Sequence, residues 1–171
     1  LVYTDPRRFG VMDLIRPGES HKLLEHLGPE PLGDNWSGTQ LHESLRNRNI
    51  SIKSALLNQH IVVGIGNIYA SEILFRSGIS PKRLAKNISL VMANEIYRQT
   101  QHVLLTAIEA GGSTLKDGQF KQLDGDLGYF PHEFAVYDRE GEGCVDPNCV
   151  KLVKKLVQSG RSTFYCSGCQ R

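Results

Sequence analysis

The chain has 171 residues, 40% of them hydrophobic and 22% charged, enough to bury a core in one ordinary domain or two small ones. This composition excludes a disordered tail, and no apolar run approaches the roughly 20 residues that span a bilayer. The net charge is only +2, but it is unevenly spread: residues 144–171 hold five basic residues against Asp146, a net +4 that leaves −2 for residues 1–143. Such asymmetry fits an anionic partner for one segment, or a solvated surface, equally well.

The chain opens Leu-Val-Tyr-Thr, without a methionine, a basic n-region or an apolar h-region, so it does not read as a signal peptide. Leu1–Tyr3 reads as the middle of a strand, and the chain is expected to begin inside a domain of something longer. Residues 1–4 and 11–15 are short β-type runs joined by Asp5-Pro6-Arg7-Arg8-Phe9-Gly10, whose Asp-Pro and Gly mark a loop. Arg-Arg-Phe at a loop tip offers charge for a nucleic-acid backbone and an apolar blade for its stack; the plainer fate of Phe9 is a core. Beyond Arg16-Pro17-Gly18, Leu23, Leu24 and Leu27 suggest a helix closed by Gly28-Pro29. Residues 34–37 offer a second helix start ahead of Leu41 and Leu45. Ile52, Leu56 and Leu57 fit a third helical face running to about Asn58.

In His60-Ile61-Val62-Val63-Gly64-Ile65-Gly66-Asn67, two glycines make a tight turn and Asn67 is placed to cap a helix from Ile68 to about Arg76, with Gly78 as its stop. A dinucleotide fingerprint is a weak reading, because Tyr69 stands where its third glycine belongs and no βαβ alternation follows. A helix N-terminus behind flexible backbone is instead a ready phosphate site, to which Asn67 can donate, although a plain cap without ligand is commoner. Glu72, on that helix, is a candidate buried carboxylate supporting the turn. Residues 90–110 are strongly helical, with Ile96, Val103, Leu104, Ala107 and Ile108 on one face and Gly111-Gly112 at the end. The glycine-dotted stretch 111–128 is long enough for a functional loop. Its Asp124-Gly125-Asp126 is no calcium loop, because Ala135 occupies the place of the required glutamate. Residues 134–137 are predicted to form a short strand. The six histidines show no metalloprotease spacing.

Cys144-x4-Cys149 and Cys166-x2-Cys169, with sixteen residues between the pairs, have the arrangement of a zinc ribbon. Each close pair can supply two corners of a tetrahedral Zn²⁺, and the insert supplies a hairpin: residues 152–157, a Ser159-Gly160 turn, and residues 161–165. The alternative is two disulfides. Fewer than thirty residues cannot hold such a ribbon by a core alone, so the metal is structural. With four protein ligands it has no open position for catalysis. What the hairpin presents is Lys154, Lys155 and Arg161.

An Arg-Arg-Phe loop, a phosphate-type glycine turn between helices and a basic four-cysteine ribbon together resemble formamidopyrimidine-DNA glycosylase, a bacterial repair family for oxidised purines. The matching stretches are residues 4–10 (Thr-Asp-Pro-Arg-Arg-Phe-Gly), 63–72 (Val-Gly-Ile-Gly-Asn-Ile-Tyr-Ala-Ser-Glu), 111–117 (Gly-Gly-Ser-Thr-Leu-Lys-Asp), 128–130 (Gly-Tyr-Phe) and the ending from Thr163-Phe164-Tyr165-Cys166 to Cys169-Gln170-Arg171. The chain departs from the family in its four-residue first cysteine spacer, where two is usual, and in a longer capping loop.

The resemblance implies a mainly α fold with small β: a helix–two-turn–helix bundle followed by a zinc-ribbon hairpin. Residues 1–15 are expected to be remnant strands of a first lobe, 16–128 the helical DNA-binding domain with a lesion-capping loop at 111–128, and 129–171 the zinc finger. It implies one structural Zn²⁺ on Cys144, Cys149, Cys166 and Cys169. It implies an Arg7 that faces the orphaned base, a Phe9 wedge, and backbone contacts from Arg48, Lys53 and Asn67. Arg161 resembles the arginine that grips the phosphates flanking the flipped base and donates a proton in the last elimination step. The implied reaction is base excision through a Schiff base with an N-terminal proline amine, then β,δ-elimination. That amine and its helpers belong to the first lobe, so these residues alone are expected to be inactive in excision. The implied partner is double-stranded DNA with an oxidised purine or abasic site; a cytoplasmic monomer is expected. Two alternatives stay open: an endonuclease VIII-type pyrimidine glycosylase, and a non-catalytic zinc-dependent DNA-binding module. The 111–117 stretch and Asn-Ile-Tyr-Ala-Ser-Glu favour the purine enzyme.

Overall fold

A computed structural model describes Tyr3, Asp5, residues 10–112 and residues 134–171. Its helices are α1 (Gly38–Leu45), α2 (Ile52–Leu56), α3 (Asn67–Arg76) and α4 (Leu90–Glu109), with a 3₁₀ turn at Ala85–Asn87. An antiparallel hairpin of β1 (Val153–Gln158) and β2 (Arg161–Cys166) follows. The mainly helical region and the small β-hairpin are those the sequence predicts.

Serine side chains set three of the helix starts. Ser37, Ser51 and Ser89 accept from the amides of Gln40, Ser54 and Met92, satisfying donors that a helix cannot pair internally. Five residues of α2 would not hold as an isolated helix; Ile52, Ala55 and Leu56, all fully buried, hold it in place. Leu41 and Leu45 of α1, Ile73 and Leu74 of α3, and Ile96 and Val103 of α4 complete the same core. Truncating any of these large side chains costs ~2–5 kcal/mol. The contact of α1 with α4 is close because it is made at Gly38, where a Cβ would stand 2.6 Å from the Cα of Asn94.

The hairpin has its own small core of Val136, Val153 and Phe164, against which Phe75 of α3 packs. Its turn is Ser159-Gly160, both with positive φ (49° and 72°), as a two-residue connection that follows the strand twist requires. The C-terminal tail fastens the hairpin to the end of α3. Gln170 accepts from the amide of Cys166 (2.8 Å) and donates to the carbonyl of Ile79 (3.0 Å). Arg171 donates its amide to Gly78 and accepts from the amide of Ser80, both at 3.0 Å.

Four local expectations are corrected. Residues 11–15 form no strand, and Leu23, Leu24 and Leu27 form only turns, with 61, 58 and 41% of their surfaces exposed. Apolar periodicity without a surface to pack on does not sustain a short helix. Residues 134–137 are not a strand either; their amides turn towards one side chain, described below. Helix α3 begins at Asn67, with Gly66 as the cap and no side-chain cap bond, so Asn67 is free to point elsewhere. Of the predicted strand at residues 1–4 only Tyr3 is described, and most of the 111–128 loop lies outside the described residues.

Candidate nucleic-acid interface

The backbone carbonyl of Ser162, two residues past the hairpin turn, is where two of the sequence-predicted residues meet. Lys53 Nζ donates to it (2.9 Å) and to Thr163 Oγ1 (2.7 Å). Asn67 Nδ2 donates to it at 3.0 Å. Each comes from the first turn of a helix, Lys53 from α2 and Asn67 from α3, so the two helices hold the hairpin from two directions. Ser54 and Ser159 add a hydroxyl pair at 3.1 Å across the same junction. Lys53 is fully buried. That burial, and secondarily the charge of Arg161, brings its amine down to about 8. Arg161 itself is exposed, at the start of β2 beside the turn.

The surroundings of Asn67 are polar but incomplete. Its Oδ1 is buried and has no hydrogen-bond partner among the described residues. Gly66, just ahead of it, is exposed, and a Cβ there would meet no atom within 4 Å. Nothing among the described residues requires that glycine, whereas an external group approaching the helix N-terminus would. Gly64 has φ +83° and donates its amide to Gln59 Oε1 at 2.8 Å, so here the left-handed backbone accounts for the glycine.

Arg48 is not part of this convergence. It is exposed, and its Nε donates to the carbonyl of Ser44 at the end of α1 (2.6 Å). Arg7 and Phe9 lie outside the described residues. Glu72 has a larger part than supporting the glycine turn. Fully buried on α3, it accepts from the amides of Ala135 (2.9 Å), Val136 (3.0 Å) and Tyr137 (2.9 Å). It thus holds the segment that enters the ribbon. Lys82, which sequence reasoning did not single out, lies 5.0 Å from the centroid of the Tyr165 ring and donates to its hydroxyl at 3.4 Å; only an isolated Lys-Arg pair marked it in the sequence.

The four cysteine sulfurs all lie within 4.8 Å of one another. The pairs Cys149–Cys166 and Cys144–Cys169 stand 3.5 and 3.6 Å apart. A disulfide would need ~2.05 Å, whereas four thiolates on one Zn²⁺ at ~2.3 Å stand roughly 3.8 Å apart. The thiols are free, which disposes of the two-disulfide alternative and fits a structural zinc. Burial opposes charge on Cys166, but the amides of Cys169 and Gly168 and the thiols of Cys149 and Cys144 outweigh it and bring Cys166 down to about 7. Gly168 is required by space: a Cβ there would stand 2.7 Å from the sulfur of Cys149.

The profile of the formamidopyrimidine-DNA glycosylase H2TH domain matches residues 27–119. The chain belongs to this family. The formamidopyrimidine-DNA glycosylase of Ruegeria pomeroyi is 51% identical over 173 aligned positions, covering all of this chain and 60% of the relative. That of Paracoccus denitrificans is 47% identical over 171, with the same coverage. The chain thus spans about 60% of the length of the curated formamidopyrimidine-DNA glycosylases it matches. Among solved structures, the MutM (Fpg) protein of Thermus thermophilus superposes with a TM-score of 0.90 at 42% identity, over 97% of this chain and 62% of that one. The Lactococcus lactis Fpg bound to abasic-site DNA gives a TM-score of 0.77 at 31% identity, over 87% and 53%. The described residues contain no helix long and apolar enough to cross a membrane.

Proposed function

We propose that this chain is the DNA-gripping part of a base-excision glycosylase and AP lyase acting on oxidised purines in duplex DNA. The observation that carries the reading is the convergence of Lys53 and Asn67 on the Ser162 carbonyl, beside the exposed Arg161. Two helices and a zinc-anchored hairpin thereby share one rigid junction. Its outward groups are the Arg161 guanidinium and the N-terminus of α3, which Gly66 caps without a side-chain bond. The Lactococcus lactis relative was solved with abasic-site DNA and, as a variant, with Fapy-dG DNA, which supports the choice of damaged duplex as the partner.

The chemistry requires such a grip. A damaged base stacked in a duplex is out of reach, so it must be flipped, and the bent backbone must be held while it is out. In this reading Arg161 takes two phosphate oxygens in a fork, and α3 offers its N-terminal amides and dipole to a neighbouring phosphate. Arg48 adds a peripheral backbone contact, while Arg7 and Phe9 fill the vacated stack. An amine attack at the sugar C1′ then expels the damaged base, and opening of the C1′–O4′ bond gives a Schiff base whose acidified C2′ hydrogen permits strand cleavage by elimination of the phosphates. Arg161 serves as proton donor in the last step. Zinc only fixes where the hairpin points.

The test uses the full-length protein on duplexes with 8-oxoguanine, with an oxidised pyrimidine or with neither. Excision of the purine lesion is expected to dominate; preference for the pyrimidine would assign the endonuclease VIII-type reading, and binding without excision the non-catalytic one. Arg161→Ala is expected to keep its zinc and fold. It should weaken lesion binding by ~1.5–3 kcal/mol, the worth of hydrogen bonds to charged groups, and Arg161→Lys should recover only part. An Arg161→Ala protein that binds and cleaves like the unmodified one refutes the phosphate clamp.

A further inference from the structure

Between Ser44 and Asn94 the chain carries seven cations (Arg46, Arg48, Lys53, Arg76, Lys82, Arg83, Lys86) and a single acid, Glu72. That acid is buried and occupied by three backbone amides, so it screens none of them. The four ion pairs among the described residues, His21–Asp13, Arg98–Glu95, Arg139–Glu142 and Lys155–Glu140, use none of the seven. Four of the seven, Arg46, Arg48, Lys82 and Lys86, are exposed, whereas Lys53 is fully buried.

The backbone gathers several of these charges into a line. Residues 48–52 and 83–86 run side by side as an irregular antiparallel pair. Ile52 donates its amide to Arg83 (2.7 Å), Ala85 to Ile50 (2.8 Å) and Lys86 to Arg48 (3.2 Å), with a bridge between Ser51 and Leu84. One end adjoins the hairpin: Lys82 lies over the Tyr165 ring of β2, and Gln158 of β1 donates to the Pro81 carbonyl at 3.2 Å. The other end carries Arg48 and Lys86, both exposed.

We propose that Lys82 and Lys86, aligned with Arg48 by this pairing, form a second track for duplex DNA, contacting backbone phosphates away from the lesion. The inference rests on the DNA-gripping reading and extends it from the hairpin tip along the helical domain. DNA is the occupant because the track begins where Arg161 and the start of α3 already face outward, and because exposed cations continuing from that grip suit the phosphate backbone of a duplex that passes it. Its contacts read no base, so they hold undamaged and damaged duplexes alike.

The test is fluorescence-anisotropy binding of the chain to a 24-base-pair undamaged duplex and to the same duplex with a tetrahydrofuran abasic-site analogue, across a salt series. Lys82→Gln/Lys86→Gln is expected to weaken both complexes several-fold at low salt and by the same factor. It should make the log–log salt slope shallower by about 1.8, as loss of two phosphate contacts requires. Lys86→Glu alone should lower affinity for both duplexes at least as far. Arg161→Ala should instead act mainly on the abasic-site duplex. Melting temperature and zinc content serve as controls, and both lysines are exposed. An unmodified chain that binds with a clear slope, while the double variant keeps that slope, overturns the track and leaves the tip grip standing. An unmodified chain that binds neither duplex overturns both. A double variant that loses only lesion binding also overturns the track, since phosphates remote from the lesion cannot discriminate it.

Discussion

Replacing Glu72 by Gln tests the junction between helical domain and ribbon with the smallest change of shape. The carboxylate takes three amides at 2.9–3.0 Å, from Ala135 on one oxygen and from Val136 and Tyr137 on the other. A glutamine oxygen can keep two of these, and its NH₂ must then face the third N–H. One hydrogen bond to a charged group, worth ~1.5–3 kcal/mol, is lost, and the remaining two fall to the neutral class near 1 kcal/mol each. Removing a buried charge returns part of the cost. The net expectation is a destabilisation of about 2–3 kcal/mol, concentrated where residues 135–137 enter the ribbon. Urea unfolding followed by the fluorescence of Trp36, buried in the helical core, reports the helices; chelator-driven zinc release reports the ribbon. Zinc release should accelerate more than the Trp36 midpoint falls. A variant within 0.5 kcal/mol of the unmodified chain on both readouts would refute the view that this carboxylate ties the two parts together.

Two further outcomes follow from side chains that are tightly enclosed. Lys53 titrates near 8 in the fold against 10.5 for the free side chain, so between those values the unfolded chain holds the extra proton. Stability should therefore rise with pH across that window and be lost as pH falls through about 8. The rise should approach 1.4 kcal/mol per pH unit, and Lys53→Met should abolish it when urea midpoints are compared between pH 8.5 and 9.5; equal slopes would contradict the burial argument. Gly168→Ala drives a methyl towards the Cys149 sulfur, 2.7 Å away, whereas the same change at Gly143 meets nothing within 4 Å. Competition with a chelator should show a 10–100-fold loss of zinc affinity, the usual scale for disturbed ligand support, at Gly168 and none at Gly143.

How far the sequence led depends on the range of the interaction involved. Helix α4, with a repeat carried from Ile96 through Ile108 and Gly111-Gly112 at its end, was legible because propensity and periodicity act over one or two turns. The ribbon was legible because four cysteines at metal spacing leave few alternatives, and its turn because Ser159-Gly160 suits a two-residue connection. The same local logic failed at Leu23, Leu24 and Leu27, whose helical spacing meets no partner surface among the described residues. It failed again at residues 134–137, whose β-type side chains gave no hint that their amides would turn to a carboxylate more than sixty residues earlier in the chain. Asn67 was singled out for the right helix and the wrong bond: a cap is a contact within a few residues, while its partner, Ser162, lies far along the sequence. Of the site itself, the residue types could be named in advance. Their convergence on one carbonyl could not, because nothing local encodes where a hairpin tip docks.

Helix α3 explains why these long-range bonds fall where they do. In its ten residues it carries Asn67 on the hairpin carbonyl at its start, Glu72 on the ribbon entrance at its middle and Phe75 in the ribbon core near its end. Beyond it, Gly78 and Ile79 take the C-terminal tail. A helix is stiff over this length, about 15 Å at 1.5 Å per residue, so the start of α3, the hairpin tip and the zinc knuckle are fixed to one rod and cannot move independently by much. A phosphate bound at Gly66–Asn67 and one bound at Arg161 would then report a single distance, set by the fold rather than by the DNA. That suits a task in which the duplex must bend to fit the protein, because deformation is imposed only by a surface that does not yield.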